Sequence, residues 1–175
     1  MKILVAHASK YGTTEGIAEF IGEKLRKGGF SVDVSDVTSA AALSGYDAYV
    51  VGSALFMGHW MKEAKEFVSK NRSILASRPI WILSSGPTGT KLTDKKGRDL
   101  REVSGPSELD DLQSWVYPRD HKVFFGAFFA DRLKGTAALF ARMIPEEDQG
   151  DFRNWPEIAA WAITISSALS PQVSA

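Results

Sequence analysis

The sequence contains no cysteine, which excludes disulfides, thiol catalysis, cysteine-held iron–sulfur clusters and cysteine-type zinc sites together. Redox chemistry by this chain therefore needs a bound organic cofactor or a metal held by N and O ligands. Histidine is scarce as well. His7, His59 and His121 stand far apart without a ligand spacing, so the residues give no reason to expect a metal. Net charge is also missing: 21 basic residues face 21 acidic ones, and the formal balance of +0 steers the chain toward neither nucleic acid nor anionic lipid. The longest later apolar run, VFFGAFFA at 123–130, falls far short of a membrane span. The opening MKILVAHASKYG is too short for a signal h-region and lacks a cleavage-like tail. The expected address is the cytoplasm, with peripheral membrane contact through an amphipathic surface left open.

The familiar phosphate and nucleophile motifs are absent too. No G-x-G-x-x-G follows the first apolar run, and neither G-x-x-x-x-G-K-[ST] nor G-x-S-x-G occurs. That argues against a dinucleotide fold, a nucleotide hydrolase and a serine-elbow hydrolase. A receiver domain would want acidic residues at the end of the first strand, where His7 and Ala8 stand.

What is present is the pattern of one globular domain over residues 1–175. The composition, 44% hydrophobic and 24% charged, fits a soluble protein with a two-sided core, and the chain is too short for two catalytic domains. An apolar strand at 3–7 leads through a polar loop to a helix whose Ile17, Phe20, Ile21 and Leu25 share one face. Gly28 and Gly29 stop it before a short strand at 30–34. Such a βαβ unit implies parallel strands with helices packed on them. A short helix near 40–43, a strand at 48–52, a helix at 60–70 and a strand at 80–84 repeat the plan. A strand at 122–129 and helices near 135–143 and 156–169 complete it; in the last, Ile158, Trp161, Ala162, Ile165 and Leu169 form a stripe. The expected fold class is α/β, a doubly wound sheet of five parallel strands with a long crossover before strand five. That crossover, 87–121, is longer than a connection of one helix and two short loops requires, and it holds a candidate helix at 107–115. It reads either as an edge-covering connection or as a lid over a ligand. Its basic residues Lys91, Lys95, Lys96, Arg98 and Arg101 alternate with Asp94, Asp99 and Glu102, as on a solvated loop.

Ligands of such sheets sit beyond the carboxyl ends of the strands, near the point where strand order reverses. Three loops fall on that edge. The first, Ser9-Lys10-Tyr11-Gly12-Thr13-Thr14, offers hydroxyl donors and a glycine just before a helix whose free amides favour an anion, as a phosphate monoester would be; a plain capping turn uses the same residues. The second, Ser53-Ala54-Leu55-Phe56-Met57-Gly58-His59, brings apolar and aromatic side chains to a strand end, fit for a planar ring or for plugging the helix–sheet seam. The third, Ser84-Ser85-Gly86-Pro87-Thr88-Gly89, is small enough for close backbone approach.

The segments ILVAHASKYGTTEGIAEFI, GSALFMGHWMKEAKEFV and GDFRNWPEIAAWA resemble the flavodoxin superfamily, and more narrowly the flavodoxin-domain proteins related to menaquinone-dependent protoporphyrinogen oxidase. The likeness covers nearly the whole chain and is weakest over 90–119. It implies a flavodoxin-like sheet with strand order 2-1-3-4-5 and flavin mononucleotide (FMN) as cofactor, with residues 9–14 on the phosphate, 53–58 along one side of the isoalloxazine and 84–89 along the other. Ser9, Gly12 and Thr14 meet the family's first-loop pattern; Lys10 and Tyr11 vary its middle. Members of the narrower group are associated with quinones and membrane surfaces, so the resemblance implies an FMN-dependent oxidoreductase with a small-molecule redox substrate, a quinone-like acceptor and activity like that of protoporphyrinogen oxidase. His59 is the titratable side chain expected beside the ring, as a catalytic residue that stabilises charge or relays a proton, although a structural helix-start histidine has the same sequence. The alternative is an electron carrier between redox protein partners.

Overall fold

The computed structural model describes residues 1–40, 42–132, 135, 138, 141 and 143–170. Its centre is a parallel sheet of β1 (Lys2–Ala8), β2 (Ser31–Asp36), β3 (Ala48–Phe56), β5 (Ile80–Ser85) and β6 (His121–Phe124), ordered β2-β1-β3-β5-β6. This is the expected order 2-1-3-4-5. A short β4 (His59–Trp60) folds back antiparallel on β3.

Alternation along the strands divides the core into two layers. Ile3, Val5, Val50 and Leu83 face α1 (Thr13–Lys27) and the C-terminal helix α5 (Trp155–Leu169). Leu4, Ala6, Val51 and Ile82 face α2 (Lys62–Ala76) and the crossover helix α4 (Leu109–Val116). The α5 stripe read from the sequence, Ile158, Trp161, Ala162, Ile165 and Leu169, is the buried set of that helix. Asn154 caps it, accepting from the Glu157 amide, with Pro156 in the first turn where its missing N–H costs nothing.

Several boundaries differ from expectation for identifiable reasons. β3 runs to Phe56 rather than stopping at Gly52, because a two-residue turn at Met57 and Gly58, with φ of 51° and 79°, closes a hairpin onto β4. Positive φ at both central positions is the I′ geometry whose twist matches the flanking strands. Trp60 therefore belongs to a strand, and α2 begins at Lys62. The helix expected near 40–43 is a single 3-10 turn at Leu43–Gly45. The apolar run after His121 is not one strand. It leaves the sheet at Phe125 and Gly126 to form β7 (Ala127–Phe128), antiparallel to β8 (Gly150–Asp151). Gly126 permits this, since a Cβ there would come within 3.3 Å of Ser85 Oγ.

In the crossover, α3 (Leu100–Val103) precedes α4, which buries Leu112 and Val116 in the α2 layer. The helix expected over 135–143 lies outside the described residues except at Gly135, Ala138, Ala141 and Met143. Among the described residues no helix is long and apolar enough to cross a membrane.

Candidate functional site

A cavity of about 550 Å³ opens at the carboxyl edge of the parallel strands, between the loops after β1, β3 and β5. Of the first loop, Ser9, Lys10, Tyr11, Thr13 and Thr14 line it. Gly12 stands behind them at φ 80°, a left-handed turn into α1 whose carbonyl accepts from the Gly16 amide at 3.0 Å. No side chain among the described residues caps this helix start. Thr14 is 0% exposed, yet its Oγ1 and the Ser9 Oγ are buried without a hydrogen-bond partner among the described residues. Unsatisfied buried hydroxyls are costly, and two of them beside uncapped amides form a cradle for an acceptor-rich anion. Thr13 Oγ1 is already committed, donating to the Ala127 carbonyl at 3.1 Å.

The second loop is the β3–β4 hairpin. Ala54, Leu55, Phe56 and Met57 line the cavity. Ser53 does not: it is buried, accepts from the Met61 amide at 3.0 Å and donates to the Ala54 carbonyl at 2.9 Å, so it pins β3 to the approach of α2. Gly58 lies outside the lining, its carbonyl accepting from the Ser107 amide at 2.8 Å and hydroxyl at 3.1 Å. His59 is not brought to the cavity either. Its Nδ1 lies 2.8 Å from Glu108 Oε1, which also accepts from Lys65 Nζ at 2.8 Å, while the Trp60 amide donates to Oε2 at 3.3 Å. Burial works to raise the Glu108 carboxyl, but the Lys65, His59 and Trp60 donors more than offset it and hold the group down at about 2.

From the third loop Ser85, Gly86 and Thr88 line the cavity, whereas Ser84, Pro87 and Gly89 do not. Ser84 is buried between Trp60 Nε1, which donates to its Oγ at 2.8 Å, and His121 Nε2 at 3.0 Å. The indole only donates, so Trp60 takes one lone pair of the Ser84 hydroxyl, and the hydroxyl meets His121 Nε2 with its hydrogen or its second lone pair according to the imidazole tautomer. Burial pushes His121 below its ordinary value against the pull of Asp120, which favours the neutral imidazole. The Pro87 carbonyl accepts from Gly126 N at 2.8 Å, and Gly89 turns at φ 107° beside Asp148. Gly86 must be small: a Cβ there would meet Leu55 Cδ1 at 2.6 Å, so the second and third loops close on each other at this point.

Met61, Gly126, Ala127, Phe128 and Ile144 complete the lining. The sequence pattern hides Gly126, Ala127 and Phe128 by presenting 122–129 as unbroken strand; the glycine inside that apolar run was the available signal. The finished site has hydroxyls and free helix amides at one end and mainly apolar walls around the rest, with Lys10, Ser85 and Thr88 among them. It suits a planar ring that carries an anionic tail.

A doubly wound sheet of this order, with an anion cradle at the first turn and an apolar slot beyond it, defines a class of ring-phosphate binding folds. The model of the Flavodoxin domain family matches residues 4–154. The chain belongs to that family, and membership implies FMN as its cofactor. Among curated proteins the chain is similar to protoporphyrinogen IX dehydrogenase [quinone] of Escherichia coli (strain K12), with 31% identity over 81 residues. That match spans 45% of this chain and 45% of the relative. Among solved structures it is similar to oxidised flavodoxin 1 from Bacillus cereus, with TM-score 0.61 and 15% identity over 97% of this chain and 100% of that one. It is also similar to rubredoxin oxygen:oxidoreductase from Desulfovibrio gigas, with TM-score 0.59 and 15% identity over 99% of this chain and 37% of that one. The residues present fit FMN on structural grounds: the partnerless Ser9 and Thr14 hydroxyls answer to the phosphate, and the apolar walls to the ring.

Proposed function

We propose that this chain, folded as one domain over 1–175, is an FMN-dependent oxidoreductase that passes reducing equivalents from an organic donor to a quinone-like acceptor. In the net reaction the donor loses two electrons and two protons and the quinone becomes the hydroquinone. Bound FMN supplies the electron chemistry, because it exchanges either one or two electrons. The chain binds and orients. Ser9 and Thr14 with the amides at the start of α1 would hold the phosphate, Leu55, Phe56 and Met57 would flank the ring on one side, and Ser85, Gly86 and Thr88 on the other. His59, turned toward Glu108, serves this reading by steadying the hairpin rather than by touching the ring.

The observation that carries the proposal is the pair of buried, partnerless hydroxyls at the polar end of a mainly apolar cavity. The named activity of the E. coli relative motivates the quinone. It also motivates activity like that of protoporphyrinogen oxidase, and a lipid-soluble quinone acceptor would give the protein a working position at a membrane surface. The test is an absorption spectrum of purified protein mixed with FMN and then freed of unbound flavin by gel filtration. Flavin bands near one equivalent are expected, and a flavin-free protein overturns the proposal. The carrier reading is favoured by the exposure of Phe56 and Met57 at the mouth, where a redox protein could dock. Turnover of a small quinone by the isolated protein supports the enzyme; reduction only through a protein donor supports the carrier.

A further inference from the structure

Among the described residues Lys10 is the one charged side chain that lines the cavity, and no carboxylate among them pairs with it. Its ammonium instead sits 5.4 Å from the ring centroid of Tyr11 and 5.2 Å from that of Phe56, reaching from the phosphate loop across to the hairpin. Both rings stand at the mouth, 42% and 54% exposed. Cation–π contacts at exposed sites are weak, so a better partner displaces them at little cost. A flat anionic molecule is that partner. It would receive an ion pair from Lys10 and stacking area from the two ring faces the lysine vacates, with no acidic side chain among the described lining residues to repel it.

We propose that Lys10 is a specificity-determining residue that selects, as the substrate class, aromatic or quinoid molecules bearing an anionic substituent. This rests on the FMN reading above. The phosphate end has its own donors in Ser9, Thr14 and the α1 amides, which leaves Lys10 free to serve the mouth.

The experiment compares 2-naphthoate with neutral 2-naphthalenemethanol, neither of them a redox substrate, by calorimetry on FMN-loaded protein. Wild type is expected to bind the anion about five- to tenfold more tightly, a preference that weakens with salt. At saturating FMN, Lys10→Gln should erase it and Lys10→Arg should keep it. Equal affinities in wild type overturn the proposal, as does a preference that survives Lys10→Gln. A Lys10→Gln protein that loses FMN affinity with its anion preference intact assigns the lysine to the phosphate and also overturns it. Protein that cannot retain FMN overturns the earlier reading and this one together, whereas flavin-loaded protein without the preference overturns this one alone.

Discussion

The two ends of the cavity are built in opposite ways. In the loop after β1, Ser9 and Thr14 keep buried hydroxyls without partners among the described residues, and α1 starts without a side-chain cap. In the hairpin after β3, the chain satisfies its own polar groups: Ser53 is bonded on both sides, the Gly58 carbonyl is held by Ser107, and His59 and the Trp60 amide both reach Glu108. The first region is incomplete until an anion arrives. The second is preformed, with the long crossover acting as its brace. The crossover is thus an edge-covering connection through α4 and, through Ser107 and Glu108, a support for one wall of the site. Changes at the two ends should therefore have opposite effects on the ligand-free protein.

The largest effect is expected from Glu108→Leu. The carboxylate is 17% exposed and accepts from Lys65, His59 and Trp60, and Leu restores none of these bonds. Loss of charge-assisted bonds of this kind should lower the stability of the flavin-free protein by about 2 kcal/mol, read from urea unfolding at pH 7. The acid limb gives a second check. Glu108 is held at about 2 in the fold against an ordinary 4.5, so its contribution is present above pH 4.5 and is lost as pH falls through 4.5 toward 2. The gap between wild type and variant should accordingly narrow on going from pH 7 to pH 3. A constant gap would mean that Leu acts through packing and that the brace is not electrostatic.

Thr14→Val should act in the other direction. The side chain is fully buried and its hydroxyl is unsatisfied, so a methyl in its place removes a desolvated group without leaving a bond broken. Flavin-free protein should gain about 1 kcal/mol of stability, while FMN affinity, followed by titration, should fall about tenfold. A loss of stability on its own would place Thr14 in the scaffold and erase the contrast between the two ends.

The sheet was legible because its strands are apolar runs broken by glycine and polar loops, and α1 and α5 because their apolar residues recur on one face. Lys10, Tyr11 and Thr13 are flagged by their place between strand and helix, and the structure puts each against the cavity. What could not be read depends on distant partners. Nothing local to His59 announces Glu108, and nothing near Ser84 announces Trp60 and His121. The β3–β4 turn was hidden for a chemical reason: its first central residue is Met57, whereas a sequence signal for I′ geometry is Asn-Gly or Asp-Gly. The departure of β7 from the sheet depends on Phe152 donating its amide to Gly126, again a long-range bond.

Met57 also yields the smallest predicted effect and the finest test of the comparison. It holds φ at 51° although it is not glycine, and it is 83% exposed, so burial gives nothing back for the strained backbone. The hairpin is therefore complete in its hydrogen bonds but strained at the tip, next to the mouth of the cavity. Met57→Asn creates the favoured Asn-Gly pair and should raise the stability of the flavin-free protein by about 0.5–1 kcal/mol in urea unfolding. If the Met57 side chain also supplies apolar wall to the ring, FMN affinity should drop a few-fold in the same variant, which separates the backbone strain from the packing of the side chain on the flavin. An unchanged unfolding midpoint would mean that the brace from Ser107 and Glu108 absorbs the strain completely, and the same substitution placed in Glu108→Leu should then recover the missing stability.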